Sequence, residues 1–225
     1  MAFQNIIFDL DGTLIDSSAS ILASFQASFD IAGIKAARPL DSDIIGPPLK
    51  EALALLSGSN DSALINELAA NFRHHYDREG YRHTTVFSGI PELMTDLAAT
   101  GIPLYIATNK RIKPTQLIIE HLGWARFFSG VFGLDSLEPP AASKADLIRH
   151  IADTYSMNTQ TTLYIGDRIE DSHAANSAKV AFSYASWGYG SDHDTDDFDV
   201  HRILKKPGDL LSVLQNLVTP SNSEI

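Results

Sequence analysis

The first apolar run of the chain ends in two aspartates, Asp9 and Asp11, which a glycine and a threonine follow. Such a run is typical of a buried strand, and the Gly-Thr pair favours a tight turn into a loop. Because ligands of open α/β sheets bind outside the carboxyl ends of the strands, both carboxylates are predicted to lie at the mouth of a site. An acidic turn after an edge strand would show the same pattern, so other residues must distinguish the two interpretations.

Polar residues also stand at the ends of two later predicted strands. Thr108 and Asn109 end the second strand, Asp167 ends the fourth, and Asp171 follows in the next predicted helix. Since the carboxyl ends of parallel strands share one edge of a sheet, these side chains are expected to converge with the first two aspartates. This convergence favours a site with chemistry over an acidic turn.

The converging carboxylates indicate a bound cation. Two unit charges about 4 Å apart repel each other by roughly 4 kcal/mol at an effective dielectric constant near 20. Three or four carboxylates therefore need a cation that offsets their repulsion. Hard carboxylate oxygens without histidine or cysteine ligands favour Mg²⁺.

Two predicted helix starts provide groups that bind an anion. Thr108 and Asn109 precede one helix, whose N-terminal amides favour an anion. Ser143 and Asp146 resemble a capping box with Asp in place of Glu, which places Lys144 in the first turn of another helix. A positive charge in that turn is unfavourable, because it lies at the positive end of the helix dipole. This suggests that the Lys144 ammonium has another partner. A metal, a lysine, a helix N-terminus and a hydroxyl group together suit a phosphoryl group.

The elements that position these residues alternate between strand and helix from residue 86 onward, which indicates a parallel sheet covered on both faces. From residue 17 to about residue 82 only helical patterns occur. We therefore predict an α/β fold, with a doubly wound, Rossmann-like core formed by residues 1–15 and 86–225. Residues 16–85 form an inserted all-helical cap domain, which would rise from the first strand and lie over the site.

Composition restricts the partners and the location. The formal net charge of −11 argues against nucleic acid and anionic membranes, because both need a basic surface. The chain has no cysteine, which excludes disulfides, thiolate zinc sites and a cysteine nucleophile. The first residues lack the pattern of a signal peptide, and no apolar run approaches the roughly 20 residues of a membrane span. A cytoplasmic monomer or homodimer acting on a small metabolite is expected.

Four motifs in this order resemble the haloacid dehalogenase superfamily phosphatases of the phosphoglycolate phosphatase-like type, with a helical cap. Residues 8–14 match the first motif, Thr108 and Asn109 the second, Lys144 the third, and residues 166–171 the fourth. The resemblance covers essentially the whole chain. It implies a Mg²⁺-dependent phosphatase that hydrolyses small phosphate monoesters.

Two further stretches refine the resemblance, and two positions depart from it. Residues 45–49 and 187–190 are similar to a subgroup with phosphoglycolate phosphatase-like and nucleotidase-like members. The family often has a proline directly after the third-motif lysine, where this chain has Ala145. It also often has a glycine before the last core strand, where this chain has Lys179. The first departure affects the loop that carries the lysine, and the second affects a turn.

By this resemblance Asp9 is the nucleophile and forms an aspartyl-phosphate. Asp11 protonates the leaving oxygen and then activates the water that hydrolyses the intermediate. The side chains of Asp9 and Asp167 and the backbone carbonyl of Asp11 are expected to bind Mg²⁺. Asp171 would hold the waters of the metal or orient the lysine of the third motif. The groups that would hold the phosphoryl oxygens are Thr108, the amide of Asn109, and Lys144.

Several further residues keep two interpretations. Lys50 and Arg111 could contact the substrate or could be solvated charges. The basic patch of residues 73–83 could face the cap opening, although an exposed helix face is favoured. Residues 192–196 mimic the start of a calcium-binding loop but lack its later positions, so a solvated acidic loop is predicted. Trp187 and Tyr189 are predicted to pack beside the site.

Other activities share parts of this pattern. A 2-haloacid dehalogenase also uses an aspartate nucleophile, but it needs no Mg²⁺ and usually lacks the second acid, which here is Asp11. A phosphomutase would return the phosphoryl group to its substrate, and a phosphonatase would use a cap lysine such as Lys50. A receiver-like switch, phosphorylated without turnover, would lack the helical insert. The substrate stays open among phosphoglycolate, nucleoside monophosphates and sugar phosphates.

Overall fold

The computed structural model describes residues 2–45, 47–190 and 200–215. Its strands are β1 (Asn5–Phe8), β2 (Ile15–Asp16), β3 (Thr85–Val86), β4 (Leu104–Thr108), β5 (Gly130–Gly133), β6 (Thr162–Gly166), β7 (Ala181–Ala185) and β8 (Arg202–Leu204). Six of them form one parallel sheet in the order β5-β4-β1-β6-β7-β8. The strands β2 and β3 pair separately as a short antiparallel ribbon.

Eight α-helices accompany these strands within the described residues. They are α1 (Ser18–Ala32), α2 (Leu49–Ser57), α3 (Ser62–Arg78), α4 (Ile90–Thr100), α5 (Ile112–His121), α6 (Lys144–Thr154), α7 (Ile169–Ser177) and α8 (Asp209–Gln215). The first three lie between β2 and β3, so the chain between the two ribbon strands is helical. We call the segment from residue 18 to residue 83 the helical insert.

Both faces of the sheet are covered, as the alternation of side chains along β1 shows. Ile6 and Phe8 pack in one apolar cluster, whereas Ile7 packs in a second cluster with Tyr105 and Tyr164. Because successive side chains of a strand point to opposite faces, the two clusters lie on the two sides of the sheet. This arrangement confirms the predicted doubly wound α/β fold.

Side chains of α1 and α3 pack against each other inside the helical insert, within the same apolar cluster that covers one face of the sheet. The rings of Phe25 and Phe72 lie 4.8 Å apart between centroids, and the ring of Tyr76 stacks on Phe72 at 5.6 Å. Leu53 and Leu56 of α2 are fully buried in the same cluster. The predicted division into a core and a cap domain at residues 15/16 and 85/86 stays a prediction.

Three parts of the sequence interpretation differ from the structure or lie outside it. The ribbon of β2 and β3 and the strand β8 were not predicted, because runs of two or three residues carry too little periodicity. The acidic loop predicted at residues 192–196 lies outside the described residues. The leucine spacing from Leu210 to Leu217 predicts a last helix, and a loose tail is predicted from residue 219; Leu217 and this tail also lie outside the described residues. Among the described residues no helix is long and apolar enough to cross a membrane.

Candidate active site

The register of the sheet brings three polar strand ends together. Phe8 pairs with Ile106 on one side and with Ile165 on the other, so β1 lies between β4 and β6. Asp9 therefore leaves the sheet beside the ends of both neighbouring strands, where Thr108 and Asp167 stand. This placement is the convergence that the sequence predicted.

Asp9, Asp167 and Asp171 form a group of three buried carboxylates. One oxygen of each lies within 4.8 Å of the others. Burial raises the pKa of Asp9 to about 6, with Lys144 opposing the rise and Asp171 adding to it. Burial and the nearby carboxylate of Asp171 raise the pKa of Asp167 to about 8. The charges of Asp9 and Asp167 are thus poorly compensated by the protein alone.

The three carboxylates fit a hard divalent cation such as Mg²⁺. All the donors are oxygen atoms, which suit Mg²⁺ better than a softer metal. The buried Oδ1 atom of Asp9 lies 3.2 Å from the Lys144 ammonium but accepts no well-formed hydrogen bond within the described part of the chain. A metal ion would add a second positive partner for this oxygen and would lower the raised pKa values of Asp9 and Asp167.

The raised pKa values predict that the stability of the metal-free protein depends on pH. The unfolded value for Asp9 and Asp167 is 3.8, and the folded values are about 6 and about 8. Between these values the folded state binds more protons than the unfolded state, so the free energy of unfolding falls as the pH rises from about 4 to about 8.

A saturating concentration of Mg²⁺ is expected to raise the Tm more at pH 8 than at pH 5, because the carboxylates need the metal most when they are ionised. Thermal denaturation with Mg²⁺ and with a chelator at both pH values measures this difference. An equal effect of Mg²⁺ at both pH values would show that these carboxylates do not hold the metal.

Lys144 lies between two of the three carboxylates. Its Nζ atom is 3.2 Å from Asp9 Oδ1 and 2.5 Å from Asp171 Oδ1. Burial alone would lower the pKa of Lys144, but the carboxylates of Asp171 and Asp9 outweigh it and raise the pKa above its usual range. The lysine is therefore charged, and these carboxylates are the partners that its unfavourable place in the first turn of α6 suggested.

Local capping fixes the start of α6 and hence the position of Lys144. The Ser143 hydroxyl accepts a hydrogen bond from the Asp146 amide at 3.2 Å and donates one to the Asp146 carboxylate at 2.7 Å. The bond from the Asp146 amide is one half of the predicted capping box; in place of the other half, the Asp146 carboxylate accepts from the Ser143 hydroxyl and not from the Ser143 amide. The loop before the helix thus holds the lysine without the proline that the family often has after it.

The carboxylate of Asp11 lies apart from the group of three and contacts a second lysine. Lys110 Nζ lies 3.0 and 3.1 Å from the two oxygens of Asp11, and the Ser17 hydroxyl also donates to this carboxylate. The lysine is buried and stands 4.6 Å over the ring of Tyr76 in the helical insert. Our sequence analysis gave Lys110 no role, although its place directly after Thr108 and Asn109 could have indicated one.

Several backbone and side-chain groups hold the carboxylates in place. Asp167 accepts hydrogen bonds from the Thr13 hydroxyl at 3.2 Å and from the Tyr189 amide at 2.8 Å. Asp171 accepts one from the Arg168 amide at 3.2 Å, and the Tyr164 hydroxyl lies 3.2 Å from its other oxygen. Tyr164 was not identified from the sequence, where it is one apolar position among the others of β6.

The remaining predicted residues border the site. Thr108 is buried, and its hydroxyl accepts a hydrogen bond from the Lys110 amide at 3.3 Å. Arg111 precedes α5, and its guanidinium lies 2.6 Å from Asp77 of the helical insert. The Arg111 side chain is therefore engaged in an ion pair here, and its contact with substrate stays a prediction.

A cavity of about 610 Å³ lies between the strand ends and the helical insert. Its floor includes Asp9, Asp11, Thr108, Asn109 and Lys144. Its wall on the insert side is largely apolar, with Ile21, Phe25, Ile44, Leu49, Phe72 and Tyr76. Two residues of the insert with open interpretations, Lys50 and Arg73, also border the cavity and are exposed. The rest of the basic patch is not among the residues that line it.

This arrangement combines a buried carboxylate, a group of carboxylates that fits a cation and an ammonium group at one end of a cavity. Such a set can stabilise the negative charge of a phosphoryl group while a carboxylate attacks it. The cavity above leaves room for the rest of a small molecule.

Comparisons with known proteins agree with this chemistry. A family model described as haloacid dehalogenase-like hydrolase matches residues 6–185. A 5'-nucleotidase from Pseudomonas aeruginosa is 32% identical over 223 residues, which cover 96% of each chain. A phosphoglycolate phosphatase from Neisseria gonorrhoeae is 29% identical over 98% of this chain and 96% of that protein.

A relative with a different name and a solved structure complete the comparison. The tyrosine-protein kinase PtkA from Mycobacterium tuberculosis is 31% identical over 83% of this chain and 63% of that protein. The structure of a haloacid dehalogenase-like family hydrolase from Streptococcus pneumoniae superimposes with a TM-score of 0.85 at 28% identity. That match covers 95% of this chain and 99% of the other.

Proposed function

Since the chain belongs to the haloacid dehalogenase-like hydrolase family, we propose that it is a Mg²⁺-dependent phosphatase that hydrolyses small-molecule phosphate monoesters through an aspartyl-phosphate. The observation that carries this proposal is the surroundings of Asp9. Its buried carboxylate lies at the end of the central strand β1, beside Lys144 and within a group of three carboxylates that fits a divalent cation.

In the first step, an oxygen of Asp9 attacks phosphorus and the bond between phosphorus and the ester oxygen breaks. Asp11 gives a proton to the leaving oxygen, which departs as an alcohol. Lys144, Thr108 and the Asn109 amide hold the phosphoryl oxygens. When bound by Asp9, Asp167, Asp171 and the carbonyl of Asp11, Mg²⁺ supplies positive charge that offsets the charge of the carboxylates and the phosphoryl group.

In the second step, Asp11 takes a proton from water, whose oxygen attacks the phosphorus of the aspartyl-phosphate. The bond from phosphorus to Asp9 breaks, so the carboxylate is regenerated and inorganic phosphate leaves. Asp11 is held by Lys110 and Ser17 in this structure. In its proposed role as an acid, Asp11 must exchange the contact with Lys110 for one with the leaving oxygen.

The group of three carboxylates and the cavity beneath the helical insert also bear on the competing functions. A 2-haloacid dehalogenase has no use for three carboxylates that need a cation, so the acidic group favours phosphate chemistry. The cavity beneath the insert favours turnover of a small molecule over a receiver-like switch, which would need no enclosed site. A phosphomutase would share every feature of the floor and differs only in the acceptor of the phosphoryl group.

Two further parts of the proposal concern the insert and the substrate. We propose that residues 16–85 act as a cap domain whose cavity wall selects the leaving group. The names of the relatives support a nucleoside monophosphate or phosphoglycolate, and a sugar phosphate stays a third candidate. The acidic net charge supports the absence of nucleic acid and anionic membrane partners. A cytoplasmic monomer or homodimer stays a prediction.

Phosphate release from a panel of these esters, with Mg²⁺ and with a chelator, tests the proposed function. We expect release that requires the metal, and the ranking of the esters indicates the leaving group that the cavity accepts. Halide release from a 2-haloacid without Mg²⁺ would establish the dehalogenase instead. No release from any ester would contradict the proposal, and transfer of phosphate to a sugar would identify a phosphomutase.

A further inference from the structure

The segment Trp187–Gly190 lies directly against the metal-site carboxylate Asp167. The Tyr189 amide donates a hydrogen bond to Asp167 Oδ2 at 2.8 Å. A Cβ atom at Gly188 would lie 2.3 Å from Asp167 Cβ, and one at Gly190 would lie 2.1 Å from the Asp167 carbonyl oxygen. Both positions therefore require glycine, because the backbone approaches Asp167 too closely for a side chain.

The side chain of Tyr189 extends from this segment to the start of the helical insert. Its hydroxyl accepts a hydrogen bond from the Ser17 amide at 2.8 Å and donates one to Asp16 Oδ1 at 2.9 Å. Asp16 ends β2 and Ser17 precedes α1, so both belong to the place where the chain leaves the core for the insert. The returning chain is also close, since the ring of Phe87 lies 6.4 Å from the ring of Tyr189.

A second link from the same segment reaches the loop after β1. The indole nitrogen of Trp187 donates a hydrogen bond to the Thr13 carbonyl at 2.9 Å. The Thr13 hydroxyl in turn donates to Asp167 Oδ1 at 3.2 Å. One oxygen of Asp167 is thus held by the Tyr189 amide of this segment. The other is held by Thr13, which lies in the loop that leads into the insert and is bonded to Trp187 of the segment.

We propose that Tyr189 is a positioning residue that couples the metal site at Asp167 to the hinge of the helical insert at Asp16 and Ser17. Its amide fixes the carboxylate and its hydroxyl fixes the hinge, so a metal that orders Asp167 also orders the hinge. Because coupling between two sites is reciprocal, the hinge conformation that retains these bonds binds the metal more tightly. The proposal rests on the proposed metal site, but its test does not require turnover.

This role goes beyond the packing that the sequence predicted for Tyr189. A ring that only packs could be phenylalanine without loss of contact. The hydroxyl, however, satisfies both the Ser17 amide and the Asp16 carboxylate, and each would lose a partner. Tyr189→Phe therefore removes the link to the hinge and leaves the ring and the amide bond to Asp167 in place.

Amide exchange measured by NMR, with Mg²⁺ and with a chelator, tests the coupling in the intact chain. In the parent protein, Mg²⁺ is expected to slow the exchange of the Ser17 amide. In Tyr189→Phe this amide is expected to exchange roughly three- to tenfold faster, as for the loss of one ordinary hydrogen bond. The slowing by Mg²⁺ should disappear, and because the coupling is reciprocal the Kd for Mg²⁺ from calorimetry should rise by about the factor by which Mg²⁺ slows this amide in the parent. We further expect KM to rise with kcat nearly unchanged, because the insert lines the cavity.

Two further variants separate coupling from a general loss of stability. Asp16→Ala removes the acceptor of the Tyr189 hydroxyl at the hinge and is expected to weaken the effect of Mg²⁺ on Ser17 in the same way. Tyr155→Phe is a matched control, since its hydroxyl donates to the Ser129 carbonyl at 3.2 Å, next to the amino end of β5. This control should leave the effect of Mg²⁺ on Ser17 unchanged.

Three results would overturn the coupling. One is a Ser17 amide in the parent protein that Mg²⁺ does not slow. Another is a Tyr189→Phe protein in which Mg²⁺ slows Ser17 as much as in the parent. The third is a Tyr189→Phe protein whose Kd for Mg²⁺ rises at least tenfold more than that factor, together with a loss of Tm, which would make the segment a scaffold of the metal site only. None of these results depends on which ester the protein hydrolyses, so failure of the proposed function is detected separately by the phosphate assay.

Discussion

Asp9→Asn is expected to lower the rate of phosphate release by roughly 10⁴-fold or more, the scale at which the loss of a catalytic nucleophile is measured. An amide of the same shape cannot attack phosphorus, and neither Asp11 nor Asp171 occupies its place at the end of β1. The substitution should not unfold the protein. It removes one of three buried carboxylates, and burial together with Asp171 makes the ionised form of Asp9 unfavourable.

The Tm of the metal-free Asp9→Asn protein at pH 8 is therefore expected to equal or exceed that of the parent. Phosphate release and thermal denaturation, measured on the same preparations, check the two expectations together. Asp153→Asn, at an exposed position of α6, is a matched control and should change neither value. An Asp9→Asn protein that retains a tenth or more of the parent rate would exclude Asp9 as the nucleophile.

Lys144→Met is expected to lower the rate roughly 10²- to 10³-fold, the usual cost of removing a charged donor from a developing negative charge. The variant should also be less stable than the parent, unlike Asp9→Asn. The ammonium lies within 3.2 Å of two buried carboxylates, and removing one partner of a buried pair costs about 3–5 kcal/mol. Phosphate release and the free energy of unfolding measure the two effects.

Mg²⁺ should restore part of the stability that Lys144→Met loses, because the metal offsets the same carboxylates. The control is Lys35→Met, at an exposed position in the helical insert, which should match the parent in rate and stability. If Lys144→Met were as stable as the parent in the presence of a chelator, the ion pairs with Asp9 and Asp171 would not hold in solution.

The floor of the site could be predicted because its residues follow simple local patterns. The apolar runs of β1, β4 and β6 are distinct, and in a parallel sheet the residues after them must share one edge. The position of Lys144 followed from the capping pattern of Ser143 and Asp146, which depends only on residues within one helical turn. These predictions needed no knowledge of contacts between distant parts of the chain.

Several of the contacts that sequence analysis missed join distant residues. The pair of Lys110 with Asp11 spans 99 positions, and the hydroxyl of Tyr189 meets Asp16 across 173 positions. Arg111 meets Asp77 only because the insert folds back onto α5. No local periodicity encodes such pairs, since they depend on how the insert and the sheet are oriented. The apolar wall of the cavity was unpredicted for the same reason.

The stereochemical course at phosphorus is the measurement that tests the double displacement most directly. An ester whose phosphoryl group is made chiral with oxygen isotopes is hydrolysed in the presence of Mg²⁺, and the configuration of the released phosphate is determined. Each in-line displacement inverts phosphorus, so attack by Asp9 followed by attack by water predicts overall retention. Inversion would mean that water attacks the ester directly and would contradict an aspartyl-phosphate on Asp9.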